Sequence, residues 1–425
     1  DVGATDINAE MKVAAVEAIA ALARETPSDV VARAYGGETR AFGPDSLIPS
    51  PFDPRLILRI APAVAKAAMD TGVATRPIAD FDAYNDQLDY FVFRSGFIMR
   101  PLFAKAKESK KRVIYAEGED ERVLRAVQAV VEEGIARPII VARPNVVETR
   151  IKRFGLSIKS GEDFDLINPE DDPRYRDYVR TYQEVAGRRG VTPDAARTLV
   201  RTHPTVIAAL AVRRGEADAM LCGIEGRFVR HLRQVRDIIG LAPGVKELAA
   251  LSLLITSKGN FFICDTQIQT EPTAADLAEM TVLAAAHVRR FGMEPRVALL
   301  SHSNFGSHET PSAKRVRAAV EMLRERVPNL QVDGEMQADA ALVEDIRKRA
   351  LPSSTLAGAA NVLVMPDLDA ADIAYNMIKV LGDSQPVGPI LMGTARPAHI
   401  LGPSVTARGI VNMTAVAVAE AQVTS

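Results

Sequence analysis

A mainly parallel, three-layer α/β protein is the fold class that this sequence predicts, and two observations predict it. Short apolar runs, RVIYAEG, RPIIVAR, AMLCG, RVALLS, LQVDGE, NVLVMPD and GPILMG, recur through the later part of the chain. Longer amphipathic stretches separate them, which is the strand and helix alternation of crossover-connected sheets. A chain of 425 residues, 47% hydrophobic and 25% charged, can bury two or three sizeable cores.

The first element is a helix. TDINAEMKVAAVEAIAALARE offers Asn8 as N-cap, Glu10 in the first turn, and apolar residues at Met11, Ala14, Ala15, Ile19 and Leu22. The chain starts at Asp1, with no secretory segment after it, so this helix is expected to close a domain whose body lies elsewhere. From Thr26 to about Tyr90 the composition turns to proline, glycine and aspartate, with FGPDSLIPSPFDPRL as the densest stretch. Inside that connector RLILRIAPAVAKAAMDTGVA predicts a helix whose apolar face docks on a neighbour. LSLLITSKGNFFICDT predicts an antiparallel hairpin turning at SKGN. Thr273 with Asp276 predicts a capping box.

Several functions are disfavoured by what the chain lacks. A net charge of -2 provides no basic stripe for nucleic acid. Charged residues interrupt the apolar runs before they reach a membrane-spanning length of about 18 residues. Cys222 and Cys264 are too few for a disulfide framework or a cysteine-based zinc site, and a reducing, cytoplasmic home is expected. The dinucleotide fingerprint G-x-G-x-x-G and the phosphate loop G-x-x-x-x-G-K-[ST] are both absent.

Sheets of this kind bind ligands beyond the carboxyl ends of their strands. The informative segments are therefore EGEDER (117 to 122), GIEGR (223 to 227), SHSNFGSHE (301 to 309), DGEMQAD (333 to 339), PDLDAAD (366 to 372) and HILGPSVTARGIV (399 to 411). Asp367, Asp369 and Asp372 suit helix capping better than a metal site, and no metal is expected. Ser301, Ser303, Asn304, Gly306 and Ser307, with His302 and His308, form a polar loop fit either to hold a phosphate or to be a solvated turn. Glu117, Glu119 and Asp120 read as caps of the following helix. Arg230, Arg233 and Arg236 share a helical face, which suits either solvent or a polyphosphate. The stretch from Gly402 to Gly409 has no carboxylate and no cysteine, which is sparse equipment for an active-site loop.

YAEGEDERVLRAV, EPTAADLAEM, RRFGMEPRVALLSHSNFGS, VDGEMQADAALV, AGAANVLVMPDLDAADIAYNMIKVL and GPILMGTARPAH together resemble the phosphotransacetylases, which exchange acetyl groups between coenzyme A and phosphate. The resemblance runs in order from about Phe93 to the C terminus. The amino-terminal segments resemble the end of bacterial NADP-dependent malic enzymes that carry a phosphotransacetylase-like domain at their C terminus. It implies a C-terminal malic-enzyme helix at 1 to 25, a linker with docking helix at 26 to 92, and two three-layer α/β subdomains with a cleft between them. One subdomain would hold 93 to 244 and 389 to 425, the other 245 to 388.

The departures from the family carry the functional expectation. In active members the loop after the G-P-I strand reads about D-L-S-R-G-C-S-D-E-D-I-V, with a serine and an arginine that stabilise acetyl phosphate and a final aspartate that serves as base. Aligned on ILGPSVTARGIV, these fall at Gly402, Pro403 and Gly409. The lysine of the family's S-x-S-T-K-G-S loop falls at Phe305, whereas a cleft arginine persists as Arg233. The base is worth about 10²- to 10⁴-fold and one charge-stabilising donor about 10²- to 10³-fold, so turnover by the family mechanism is not expected. The resemblance therefore implies an inactive domain that binds acetyl-CoA at Arg233, Ser301, Ser303, Asn304, Gly306 and Ser307. It would inhibit the attached malic enzyme, whose own part would hold NADP and a divalent metal, and it would form homo-oligomers. Two rivals remain: a residual acetyltransferase using His302 or His399, and a purely structural oligomerisation module.

Overall fold

The computed structural model describes residues 1–25, 42–43, 47–49, 55–92 and 94–423. The chain divides into two compact units, 1–100 and 101–425.

In the first unit the helix Ala9–Ala23 starts at Asn8, whose side chain accepts from Met11 N at 3.0 Å as the sequence suggested. The helix Arg55–Asp70 packs against it, and Val2, Met11, Ala65 and Ala68 form the small core. Arg76 N donates to Val2 O at 2.9 Å, tying the start of the chain to the segment after the second helix. The docking helix expected within 26–92 thus lays its apolar face on the helix expected within 1–25. Most of the proline-rich stretch lies outside the described residues.

The second unit holds two sheets. In chain order the strands are β1 (Arg112–Tyr115), β2 (Arg137–Val141), β3 (Asp165–Ile167), β4 (Ala219–Cys222), β5 (Ala249–Thr256), β6 (Gly259–Cys264), β7 (Arg296–Leu300), β8 (Gln331–Met336), β9 (Val362–Val364), β10 (Gln385–Met392) and β11 (Ala398–Ile400). The first sheet is parallel throughout, in the order β11-β4-β1-β2-β3. Its strands are buried on both faces, which is why they read as continuous apolar runs rather than alternating ones. The second sheet is mixed, in the order β10-β5-β6-β9-β7-β8. The hairpin expected at SKGN is β5 and β6, paired antiparallel from Leu251↔Cys264 to Thr256↔Gly259. The capping box of Thr273 and Asp276 opens the helix Ala274–Arg290 as expected.

One boundary shifts. β10 pairs antiparallel with β5 from Gln385↔Ile255 to Met392↔Ala249, so residues 389 to 392 belong to the second sheet. The return to the first sheet is made at 393–397, not at 389. From there the chain forms β11, turns through 401–406 and enters the helix Ala407–Ala421. That helix is buried from Ile410 to Ala421 and packs on the helix Glu121–Glu132, β4 and β10. Tyr115 and Thr414 share a hydrogen bond of 2.8 Å across it. Near its end the buried Glu420 lies 3.3 Å from His399 Nε2, 3.9 Å from His287 Nε2 and 3.8 Å from Arg290. Burial pushes the Glu420 carboxyl up, but its contacts with these three neighbours outweigh that and hold the pKa down to about 2.

Candidate functional site

The first sheet reverses its winding between β1 and β4: β2 and β3 lie to one side, β4 and β11 to the other. Open α/β sheets keep their ligands at such a point, outside the carboxyl ends of the strands. Three loops meet there, after β1, β4 and β11. Gly223, with φ of +90°, follows β4; a Cβ on it would lie 2.7 Å from Leu401 O and 2.7 Å from Ile400 Cγ2. Glycine is thus required for the β4 and β11 ends to touch. Leu401 N donates to Cys222 O at 2.6 Å across that contact.

The three acids after β1 have three different fates. Asp120 is the cap expected, accepting from Arg122 N at 2.7 Å. Glu119 instead pairs with Arg143 at 2.8 Å. Glu117 accepts from Gly223 N at 2.9 Å through Oε1, while its buried Oε2 has no hydrogen-bond partner. Burial pushes its pKa up to about 7, more than the Gly223 bond lowers it. A carboxyl that titrates near neutrality is thus fixed at the switch point.

Arg122, which the sequence reading left out, holds the sparse loop. Its guanidinium grips Asp120 through Nε and Nη2, and Nη1 donates to Pro403 O at 2.6 Å and Val405 O at 3.2 Å. The loop is therefore shaped through its backbone and needs no polar side chain of its own. Thr406 caps the final helix, accepting from Gly409 N at 3.1 Å. A Cβ on Gly402 would meet nothing within 4 Å, whereas one on Gly409 would lie 2.9 Å from Val405 Cγ2. Arg408, the loop's one arginine, turns to Glu133 at 3.1 Å and packs over the Phe103 ring.

The helix Phe228–Ile238 rises from the β4 loop and separates the three arginines predicted to share a face. Arg230 bonds His203, and Arg236 pairs with Glu247 at 2.9 Å. Arg233 is exposed, and among the described residues no hydrogen bond or ion pair holds it. It remains free to meet an anion.

At the carboxyl edge of the second sheet, the polar loop after β7 is organised around Glu335. Ser303 Oγ and Gly306 N each donate to Glu335 Oε1 at 2.8 Å, and Arg317 donates to both carboxylate oxygens at 3.1 Å. Ser301 Oγ accepts from Ser303 N, Asn304 bonds Gln337 at both ends of its amide, and Ser307 Oγ accepts from Asn304 N. In this arrangement the donors of Ser303 and Gly306 serve an internal carboxylate. His302 and His308 stay exposed with their rings 5.3 Å apart. Neither Glu335 nor Arg317 was singled out from the sequence; the only signal was an acid at the end of a predicted strand. Glu335→Gln should cost about 2–4 kcal/mol at neutral pH in a urea melt, because Arg317 loses a buried charged partner. Burial raises the Glu335 pKa, but Arg317, Gly306 and Ser303 bring it below the ordinary value of 4.5. The penalty should therefore shrink as pH falls below about 4.5.

Asp367 caps the helix Leu368–Leu381, accepting from Ala370 N at 2.9 Å, and Asp372 bonds Asn376. Among the described residues no group of three or more His, Cys, Asp or Glu is placed to hold a metal. No helix is long and apolar enough to cross a membrane.

Two α/β sheets linked through β10 and β11, with polar and glycine-bearing loops at their carboxyl edges, define a two-sheet α/β fold. The chain belongs to the phosphate acetyl/butaryl transferase family, which residues 97–418 match. A phosphotransacetylase from Streptococcus pyogenes has the same fold, with a TM-score of 0.72 and 29% identity over 78% of this chain and 99% of that one. Similarity also extends past the family's limits. An NAD-dependent malic enzyme of Rhizobium meliloti is 62% identical over 99% of this chain, and an NADP-dependent malic enzyme of Escherichia coli is 54% identical over 99%. The chain spans about half of these relatives, 55% and 56% of their lengths.

Proposed function

We propose that this chain is a phosphotransacetylase-fold domain that binds acetyl-CoA without consuming it and regulates a malic enzyme of which it is part. The observation that carries the reading is the loop at 401–406. It follows the last strand of the first sheet, where the family resemblance expects the reacting groups, yet Gly402 and Pro403 in it, and Gly409 in the first turn of the next helix, supply neither base nor charge-stabilising side chain. Space beside Gly402 stays open, so a ligand can approach where a family side chain would stand.

Arg233 is the cation best placed to meet a ligand phosphate. Ser301, Asn304 and Ser307 are secondary contacts; Ser303 and Gly306 act by holding the loop on Glu335. Inhibition requires that acetyl-CoA prefer one arrangement of the parent protein over another, since equal affinity shifts nothing. On this reading a cytoplasmic parent enzyme makes pyruvate from malate, and acetyl-CoA signals sufficiency. Its nicotinamide and divalent metal belong to residues beyond this chain; the two relatives use different nicotinamides, so NADP is retained as the expectation rather than NAD. Self-association through the domain completes the proposal.

The rival acetyltransferase loses one candidate: His399 is fully buried, its Nδ1 taken by Leu391 N at 3.2 Å. His302 is exposed but bonded to Thr310 at 3.2 Å.

A thermal-shift series with acetyl-CoA, coenzyme A and acetyl phosphate tests the reading. At 100-fold excess over the dissociation constant, acetyl-CoA should stabilise by about 2.7 kcal/mol. Arg233→Ala should reduce that response by losing a charge-assisted bond. No response in the unaltered chain rejects the sensor, and acetyl phosphate formation at family rates rejects inactivity.

A further inference from the structure

We propose that Glu420 is a positioning residue: with His399, His287 and Arg290 it forms a buried joint that fixes the loop at 401–406 relative to the second sheet. The chain passes between the two sheets twice, from β4 to β5 and from β10 to β11. The two passages lie side by side. Ala242 N donates to Gly393 O at 2.9 Å and Ala395 N to Gly240 O at 3.0 Å, with Leu241 and Thr394 bridged antiparallel between them. Such a pair of short segments keeps the sheets together and can still bend, as hinges do. Whatever sets its angle has to bear on it from both sides.

The cluster does so. Glu420 comes from the final helix, which packs on β1 and β4, and it is the one charged residue of that helix's buried stretch from Ile410 to Ala421. His287 and Arg290 come from the end of the helix Ala274–Arg290, which packs on β6 and β9 of the second sheet. His399 stands on β11, and Leu391 N of β10 donates to its Nδ1 at 3.2 Å. Since Nδ1 accepts, the ring's proton sits on Nε2, which lies 3.3 Å from Glu420 Oε2. Arg290 Nη1 lies 2.9 Å from His287 Nδ1 and 3.1 Å from its Nε2; donation to the nearer nitrogen leaves Nε2–H to face Glu420 Oε1 at 3.9 Å. One carboxylate is thus met by an imidazole from each sheet's side, and Arg290, 3.8 Å away, supplies its counter-charge from the second. Burial keeps His287 neutral, its pKa down at about 3, so the charges of Glu420 and Arg290 balance. Parting the sheets would strand a buried carboxylate without its cation, the costly way to break such a pair. An apolar contact could slide, whereas a carboxylate among directed N–H groups favours one arrangement. Two residues after His399, Leu401 N bonds Cys222 O, so a β11 held by Glu420 holds the start of the loop.

This inference rests on the proposed function only in naming the loop's ligand. Hydrogen exchange read by mass spectrometry on the ligand-free 425-residue chain tests the joint itself. Glu420→Gln keeps the shape but replaces one oxygen by an amide NH2, so one imidazole N–H meets a donor and Arg290 loses its counter-charge. Amides of 387–401 and of 287–292 should then exchange at least tenfold faster, and together. Those of β2 and β7, which pair with neither β10 nor β11, should keep their rates. No change, a change confined to the final helix, or an equal change throughout the chain overturns the joint. If that variant does not fold, His287→Leu and His287→Gln decide: leucine should loosen both passages, whereas glutamine, which keeps an N–H for Glu420, should not, and equal behaviour overturns the joint as well. Half-maximal stabilisation by acetyl-CoA should need at least tenfold more ligand in Glu420→Gln; loosened passages with unchanged acetyl-CoA affinity overturn the positioning of the loop. An unaltered chain that ignores acetyl-CoA rejects the sensor alone, because the exchange result still decides the joint.

Discussion

Gly223→Ala should destabilise the chain by about 2–6 kcal/mol and abolish its response to acetyl-CoA. Two costs add at this position. Alanine must adopt a φ near +90°, a region that side chains other than glycine rarely enter and that carries about 1–3 kcal/mol of strain. Its Cβ would also stand 2.7 Å from Leu401 O, a backbone atom that cannot rotate away, and overpacking of that kind costs about 1–3 kcal/mol. Relief is possible only by moving β11 away from β4. That movement stretches the bond from Leu401 N to Cys222 O and shifts the loop that Arg122 holds by Pro403 and Val405. Urea melts measure the first effect and the thermal-shift series the second. Gly402→Ala is the control: it is open to solvent, has no positive φ and should change stability by less than about 0.5 kcal/mol. If the two alanines behave alike, the close approach at Gly223 does not govern the loop.

The sequence showed the layers of the fold but not the bonds that shape its site. Apolar runs announced β1, β4 and β7 because parallel strands are buried on both faces. Asn8, Thr273 and Asp367 were legible as caps because a cap and its recipient N–H lie within three residues. Arg122 was not legible, since its partners at Pro403 and Val405 are close only after the chain has built both sheets. Glu117 was read as a cap for a related reason. Sequence shows an acid before a helix, and only the fold reveals that β4 brings Gly223 N to it first. That Ser303 and Gly306 bond Glu335 was not legible, because nothing local shows that β8 ends beside them with that acid. The end of the second sheet was misplaced at 389 because the β10 run continues unbroken to Met392, and strand pairing alone decides to which sheet it belongs.

Glu117→Gln should make the chain more stable above pH 7 and leave it nearly unchanged at pH 4. The folded state holds the Glu117 proton to about pH 7, whereas the unfolded chain releases it near 4.5. Between those values the folded state binds more protons, so stability falls as pH rises, by about 3 kcal/mol in all for a shift of this size. Other groups oppose that slope. Burial, aided by nearby arginines, keeps His203, His231 and His287 below the usual histidine value of 6.5, His287 at about 3. Those groups take up protons on unfolding in acid and make stability rise with pH over part of the same window. The curve of the unaltered chain therefore mixes both signs, and the difference between it and the glutamine variant isolates Glu117. Glutamine keeps an oxygen for Gly223 N but has no charge to bury, so the difference should grow from about zero at pH 4 and level off by pH 8. A flat difference would show that Oε2 reaches solvent or a partner. The same proton bears on the ligand, because an anion at this edge is favoured while Glu117 is neutral. Acetyl-CoA stabilisation should thus decline more steeply through pH 7 in the unaltered chain than in the variant.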